Sequence, residues 1–218
     1  MKVILAGATG LVGSLLLEKL TQDPNVSDIL ILGRKEIHLS SSKLKFIKTL
    51  DFNDVKISES YDAAFCCLGT TMKVAKTKES FFHVDHDLIL NFAKFSKSLG
   101  VQKFITISAI GADVNSPFFY NQVKAQTETD LIKEKFQELV ILRPSLLLGF
   151  RSEKRMLEDL SQSAFRFFEP ILKKIKWKSR PVEAGQVAQT MLSSIKKRHN
   201  DAVTIISNDQ ILQESDRN

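Results

Sequence analysis

A serine, a tyrosine and a lysine stand at a spacing that suits proton transfer to a carbonyl. Tyr120 and Lys124, in FFYNQVK (118–124), are four residues apart and share one face of a helix. Ser108 lies twelve residues before Tyr120, where the apolar run KFITISA (103–109) closes. In such a set the Tyr120 phenol would give its proton to a developing alkoxide. Lys124 would hold ribose hydroxyls and, as a nearby cation, lower the phenol's pKa toward the working pH. Ser108 would hydrogen-bond the carbonyl oxygen and orient it. Y-x-x-x-K also recurs by chance on helices, and the plain alternative is a solvent-facing pair beside a buried strand-end serine.

A second constellation opens the chain. Gly7-Ala8-Thr9-Gly10-Leu11-Val12-Gly13 follows the apolar KVILA and precedes LLLEKL. The first glycine permits a tight turn out of a strand, the second lets a pyrophosphate approach the backbone, and the third lets a helix pack close. Phosphate oxygens would meet free N–H groups at the positive end of that helix. About 20 residues beyond such a loop an acidic residue binds the ribose hydroxyls of NAD. That place here holds Gly33 and Arg34. A guanidinium grips a 2′-phosphate where a carboxylate would repel it, so the expected cofactor is NADPH.

These residues need a scaffold, and hydrophobic periodicity supplies one. Short apolar runs at 2–7, 28–33, 43–49, 62–69, 103–109, 139–145 and 202–207 read as strands. Segments 11–22, 85–100, 121–136 and 182–198 carry helical period. The alternation predicts an α/β fold of Rossmann type, a doubly wound parallel sheet with helices on both faces. Beyond Gly149 the pattern turns helical, broken at Pro170 and Pro181. The whole chain, 1–218, therefore reads as one dinucleotide-binding domain, with 150–181 forming most of a small helical C-terminal lobe on the substrate side. The aromatics of FRFFEP (165–170) would form its apolar lid or core face, and the polar tail, 208–218, reads as loose.

Composition excludes other classes. Of 218 residues, 43% are hydrophobic and 26% charged, and no apolar run reaches the length of a membrane span. The net charge of +6 is scattered apart from KKIKWKSR and KKRH, neither interleaved with aromatics, so a nucleic-acid partner is not expected. The opening stretch mimics a secretory signal. Its interior glycines, and a helix that continues without a small-residue cleavage site, argue against that. The two cysteines, Cys66 and Cys67, are adjacent and cannot form a covalent framework, which points to a reduced, cytoplasmic setting. They read as small buried hydrophobes, with a redox pair as the alternative. The four histidines lack a third ligand at suitable spacing, and no metal is expected.

The glycine loop and the Ser-Tyr-Lys set resemble the short-chain dehydrogenase/reductase superfamily. CCLGTT (66–71), HVDHD (83–87), SAIGAD (108–113), FFYNQVK and RPSLLLG (143–149) narrow the resemblance to the atypical branch typified by Tat-interacting-protein-like oxidoreductases. The resemblance covers almost the whole chain. It implies that Leu68, Gly69 and Thr70 line the adenosine-ribose and diphosphate side, that Asp51 ends the third strand near the adenine, and that Pro144 flanks the nicotinamide. Two positions depart from the superfamily. Asp85 stands where an Asn often serves a proton relay, as it does in this branch. Met72, not a basic residue, follows G-T-T, with Lys73 one place later. The expected activity is NADPH-dependent reduction of a small carbonyl substrate. The alternatives are a cofactor-bound protein that reports its redox state to a protein partner, and epimerase or dehydratase chemistry on a nucleotide sugar.

Overall fold

Seven parallel strands form one sheet, which runs from edge to edge as Leu44–Lys48, Asp28–Gly33, Lys2–Ala6, Ala63–Cys66, Lys103–Ile107, Glu138–Arg143 and Val203–Ser207. In this computed structural model residues 1–37, 39–49, 51–148, 180–198 and 201–215 are described. The strands are β1 (Lys2–Ala6), β2 (Asp28–Gly33), β3 (Leu44–Lys48), β4 (Ala63–Cys66), β5 (Lys103–Ile107), β6 (Glu138–Arg143) and β9 (Val203–Ser207). A separate two-residue parallel pair joins β7 (Leu147–Leu148) to β8 (Val182–Glu183). Residues 150–179, which hold nearly all of the expected lobe and the FRFFEP aromatics, lie outside the described residues.

Both faces of the sheet are covered, which is why the inner strands read as unbroken apolar runs. Val3, Leu5 and Phe65 point to one face and pack with Leu16, Leu17 and Leu20 of α1 (Leu11–Gln22). Val187 and Met191 of α6 (Ala184–Lys196) complete that layer. Ile4, Ala6 and Ala64 point to the opposite face, against Ile89 and Phe92 of α4 (Leu88–Ser98) and Leu131 of α5 (Phe119–Lys133). Phe65, Phe92 and Phe104 are fully buried, each contributing about 1.5–3 kcal/mol of transfer free energy. The outer strand β3 is only partly covered, as its alternation of Lys and apolar residues requires.

Three stretches differ from the sequence reading. The helix expected from residue 85 begins earlier, as short α2 (Met72–Ala75) and α3 (Lys78–Phe82) capped by Thr71 and Thr77. A π-helical turn, His83–Asp87, then joins α3 to α4. The tail is also ordered through Ser215, as α7 (Asn208–Ser215). Ile211 is wholly buried there, and Gln210 returns its side chain to the Ser207 N–H at 2.8 Å. That S-x-x-Q start was a readable helix signal.

Asn208, 1% exposed, ties two distant segments together. Its Oδ1 accepts the Ser145 N–H at 2.9 Å and its Nδ2 donates to the Arg180 carbonyl at 2.9 Å. With the β7–β8 pair, the chain is thus fastened on both sides of residues 149–179.

Candidate functional site

The strand order reverses between β1 and β4, and the carboxyl ends of these strands open the crevice in which such sheets hold ligands. The glycine loop lies in that crevice. Gly7 adopts φ +83°, and a Cβ there would fall 2.4 Å from the carbonyl carbon of Cys67. A Cβ on Gly13 would lie 2.1 Å from the Gly7 oxygen, so α1 packs directly on the turn. Gly10 donates its N–H to Gly7 O at 3.0 Å and is the N-cap of α1, with no side chain closing the helix end. Thr9, Leu11 and Val12 complete the loop between the first turn and the helix. Leu68, Gly69 and Thr70 form the facing wall after β4, in contact range of Gly7 through Leu68 N.

The other constellation is built by side chains. The π-helical turn places Asp85 and His86 in succession against α5, a widened geometry that recurs at functional sites. Asp85, 1% exposed, pairs through Oδ1 with Lys124 Nζ at 2.7 Å. Its Oδ2 accepts the Thr70 N–H at 2.8 Å, and its backbone carbonyl accepts Thr127 Oγ1 at 2.9 Å. His86 continues the join, with Nδ1 2.8 Å from Asp87 and Nε2 3.0 Å from Asp130 of α5.

Lys124 is buried beneath the Tyr120 ring, its Nζ 5.9 Å from the ring centre. Phe81 packs on the same ring at 5.5 Å. Ser108 follows β5 directly and is fixed by its N–H to the Leu142 carbonyl at 2.7 Å. Its hydroxyl is buried and has no hydrogen-bond partner among the described residues. Ser108 and Lys124 line one cavity of about 10 Å³ with Thr106 and Thr127, room for one water at most.

The electrostatics correct one expectation. Burial pushes the Tyr120 phenol up, Lys124 pulls it down, and Asp85 pushes it up again, so the phenol lies above its ordinary range. The expected lowering by Lys124 is present but outweighed. Burial acts to lower Lys124 itself, yet Asp85 prevails and the ammonium is held above the usual lysine value.

Other expected residues fall in varied places. Arg34 is exposed, one residue past β2. Asp51 does not end β3, which stops at Lys48; the Thr49 N–H still donates to the Gly33 carbonyl of β2 at 3.0 Å, and its hydroxyl donates to the Asp51 carbonyl at 2.5 Å. Pro144 follows β6, and its carbonyl accepts the Ile110 N–H at 3.0 Å, linking it to the Ser108 segment. Lys73 lies on exposed α2. Burial pushes the Cys66 thiol up to about 12 and Cys67 well above its ordinary value. Neither is poised as a thiolate, the form a redox pair would use. Sequence reasoning missed Thr127 and the buried pairing of Glu128 with Arg143, whose Nε donates to Oε1 at 3.0 Å. Thr127 was findable, since positions 120, 124 and 127 share a helix face.

Comparison with known proteins gives the family and the fold. Residues 30–179 match the HIM1 family. The chain is 30% identical over 203 residues to Protein FMP52-1, mitochondrial, of Scheffersomyces stipitis, covering 90% of this chain and 89% of that protein. Protein HTATIP2 of Rattus norvegicus is 30% identical over 217 residues, with 96% and 87% covered. A UDP-glucuronic acid 4-epimerase from Bacillus cereus, solved in complex with NAD, superposes with TM-score 0.66 at 15% identity, over 95% of this chain and 78% of that one. That likeness is one of fold. The mitochondrial designation of the FMP52 relatives, shared by those of Candida albicans and Eremothecium gossypii, overturns the cytoplasmic expectation. Sparse, adjacent cysteines report a reducing environment, and more than one compartment supplies that.

Proposed function

The chain belongs to the HIM1 family and is an atypical short-chain dehydrogenase/reductase of Rossmann fold, and on that premise we propose that it is an NADPH-dependent oxidoreductase that reduces a carbonyl substrate. The observation that carries this reading is the buried, unpartnered hydroxyl of Ser108 beside Lys124. Leaving such a group unmet costs about 1–3 kcal/mol, and a substrate carbonyl oxygen in place of the single water its cavity admits would accept its hydrogen bond.

The crevice fits a dinucleotide, because the positions of Gly7 and Gly13 leave no room for side chains and the N-terminus of α1 is uncapped. Gly7, Thr9, Gly10, Leu11, Val12 and Gly13 would hold the diphosphate, with Leu68, Gly69 and Thr70 opposite. Arg34 would pair with the 2′-phosphate, Asp51 would lie toward the adenine, and Pro144 would flank the nicotinamide. When bound, the dinucleotide supplies hydride to the carbonyl carbon. Ser108 orients the carbonyl oxygen, and Tyr120 gives that oxygen its proton. A phenol held above its ordinary range stays protonated at neutral pH and serves as a donor. Lys124 holds the ribose hydroxyls while paired with Asp85.

The test is NADPH consumption against a panel of aldehydes, ketones and quinones, with Tyr120→Phe in parallel. The wild type consumes cofactor. Tyr120→Phe binds NADPH as before and loses turnover by about 10²–10⁴-fold, the usual worth of a positioned proton donor. Equal rates in the two proteins would overturn the assignment of Tyr120. Silence from both, with binding confirmed, would favour a second reading, a cofactor-bound protein that reports to a partner. That reading is supported by the exposed apolar side chains of Met72, Val74, Ile110, Val114 and Phe118 on the segments around the site.

A further inference from the structure

Phe118 stands where the start of a helix asks for a polar residue. It is the N-cap of α5, offers no acceptor to the first turn, and is 40% exposed. Serine, threonine, aspartate and asparagine are favoured there, because their side chains accept one of the free first-turn N–H groups. The chain uses that device nearby, where Thr71 and Thr77 cap α2 and α3. The loop from Ser108 to Phe118 leads straight to Tyr120, and it exposes two further apolar residues, Ile110 at 41% and Val114 at 57%. We propose that Ile110, Val114 and Phe118 form an apolar specificity surface that receives the hydrocarbon part of the substrate, so that the substrates are aldehydes and ketones carrying an uncharged alkyl chain or ring. The inference rests on the proposed carbonyl reduction and names its substrate class.

These side chains are held out by a built loop. The Ile110 N–H donates to the Pro144 carbonyl at 3.0 Å, and the Ser116 N–H to the Asp113 carbonyl at 3.1 Å. Ser116 is 8% exposed; its hydroxyl accepts Asn121 Nδ2 at 3.1 Å and its carbonyl accepts Gln122 Nε2 at 2.8 Å. Asn121 and Gln122 follow Tyr120 on α5, so the helix that carries the proton donor also fixes the loop. Asp113 is the one charged residue between Ser108 and Lys124, and its Oδ1 is taken up within the loop by the Asn115 N–H at 2.9 Å. Phe81 continues the apolar lining, 5.5 Å from the Tyr120 ring and 6.0 Å from that of Phe119, and Lys78 Nζ stands over the Phe119 face at 5.2 Å. A rigid apolar surface of this kind selects a ligand by the hydrocarbon it takes out of water, while Ser108 and Tyr120 select the oxygen.

Straight-chain 1-alkanols from butanol to nonanol, titrated against the full chain by ligand-observed NMR, test this without turnover. Wild-type affinity rises about two- to fourfold per added methylene, as burial of hydrocarbon demands. In the double variant Val114→Ser/Phe118→Ser the rise falls below about 1.5-fold per methylene. Urea denaturation finds that variant at least as stable as the wild type, since serine is the better N-cap. Equal slopes in the two proteins overturn the proposal, and so does a destabilised variant, which would make Phe118 a packing residue. A flat wild-type response overturns it too and leaves the exposed side chains to a protein partner. A steep wild-type slope lost in the variant, with no NADPH consumed on any carbonyl, would instead overturn the reduction and leave the apolar surface standing.

Discussion

The two halves of the candidate site are made by opposite means. The glycine loop is a backbone device: Gly7 and Gly13 serve by lacking side chains, and no charged residue lies among positions 7–13. The Ser108–Tyr120–Lys124 half depends on side chains drawn from three segments and on a buried ion pair between residues 85 and 124. One half tolerates no added atom, and the other tolerates no unbalanced charge. A backbone cradle is a local property of a short stretch, whereas a buried pair is a property of two elements meeting.

Three substitutions probe that contrast. Lys124→Met should be the most damaging, because it strands the Asp85 carboxylate in the core, at a cost of about 3–5 kcal/mol. Urea denaturation would show this, and adding Asp85→Asn should restore much of the loss. A Lys124→Met protein as stable as the wild type would mean that the pair is not the keystone of its half.

Gly13→Ala comes next. The new Cβ would meet the Gly7 carbonyl oxygen at 2.1 Å and force α1 away from the turn, destabilising by about 1–3 kcal/mol. NADPH affinity, read by fluorescence titration, should fall at least about tenfold as the phosphate cradle opens. Normal affinity would place phosphate recognition elsewhere.

Arg34→Ala should have the smallest effect and the most selective one. NADPH binding weakens about tenfold, the worth of an exposed charge-assisted contact, while NADH binding and folding stability are unchanged. Parallel losses for both cofactors would show that Arg34 does not read the 2′-phosphate.

The same contrast explains what could be read from the residues in order. The strand–loop–helix of 2–22, and the alternation that yields a doubly wound sheet, rest on local periodicity; the structure follows 2–22 within a residue and the other strands within three. Ser108, Tyr120 and Lys124 were legible as a spaced set, because a helix face is also local. The pairing of Asp85 with Lys124 was not, since it depends on a π-helical turn that shifts the register of 83–87 against α5. The direction of the Tyr120 shift was missed for the same reason: Lys124 was weighed without its counter-ion. α7 was missed because a polar composition hid one buried apolar anchor, Ile211.

The fastening of the chain around residues 149–179 has its own consequence. Leu147–Leu148 leave the fold hydrogen-bonded beside Val182–Glu183, and Asn208 grips both flanks. The two flanks are therefore held together by the stem itself. The stem works as a socket. Leu148 and Arg180 are held at a set separation by contacts that belong to the sheet side of the molecule, so the sheet, the cradle and the proton donor do not depend on what joins them.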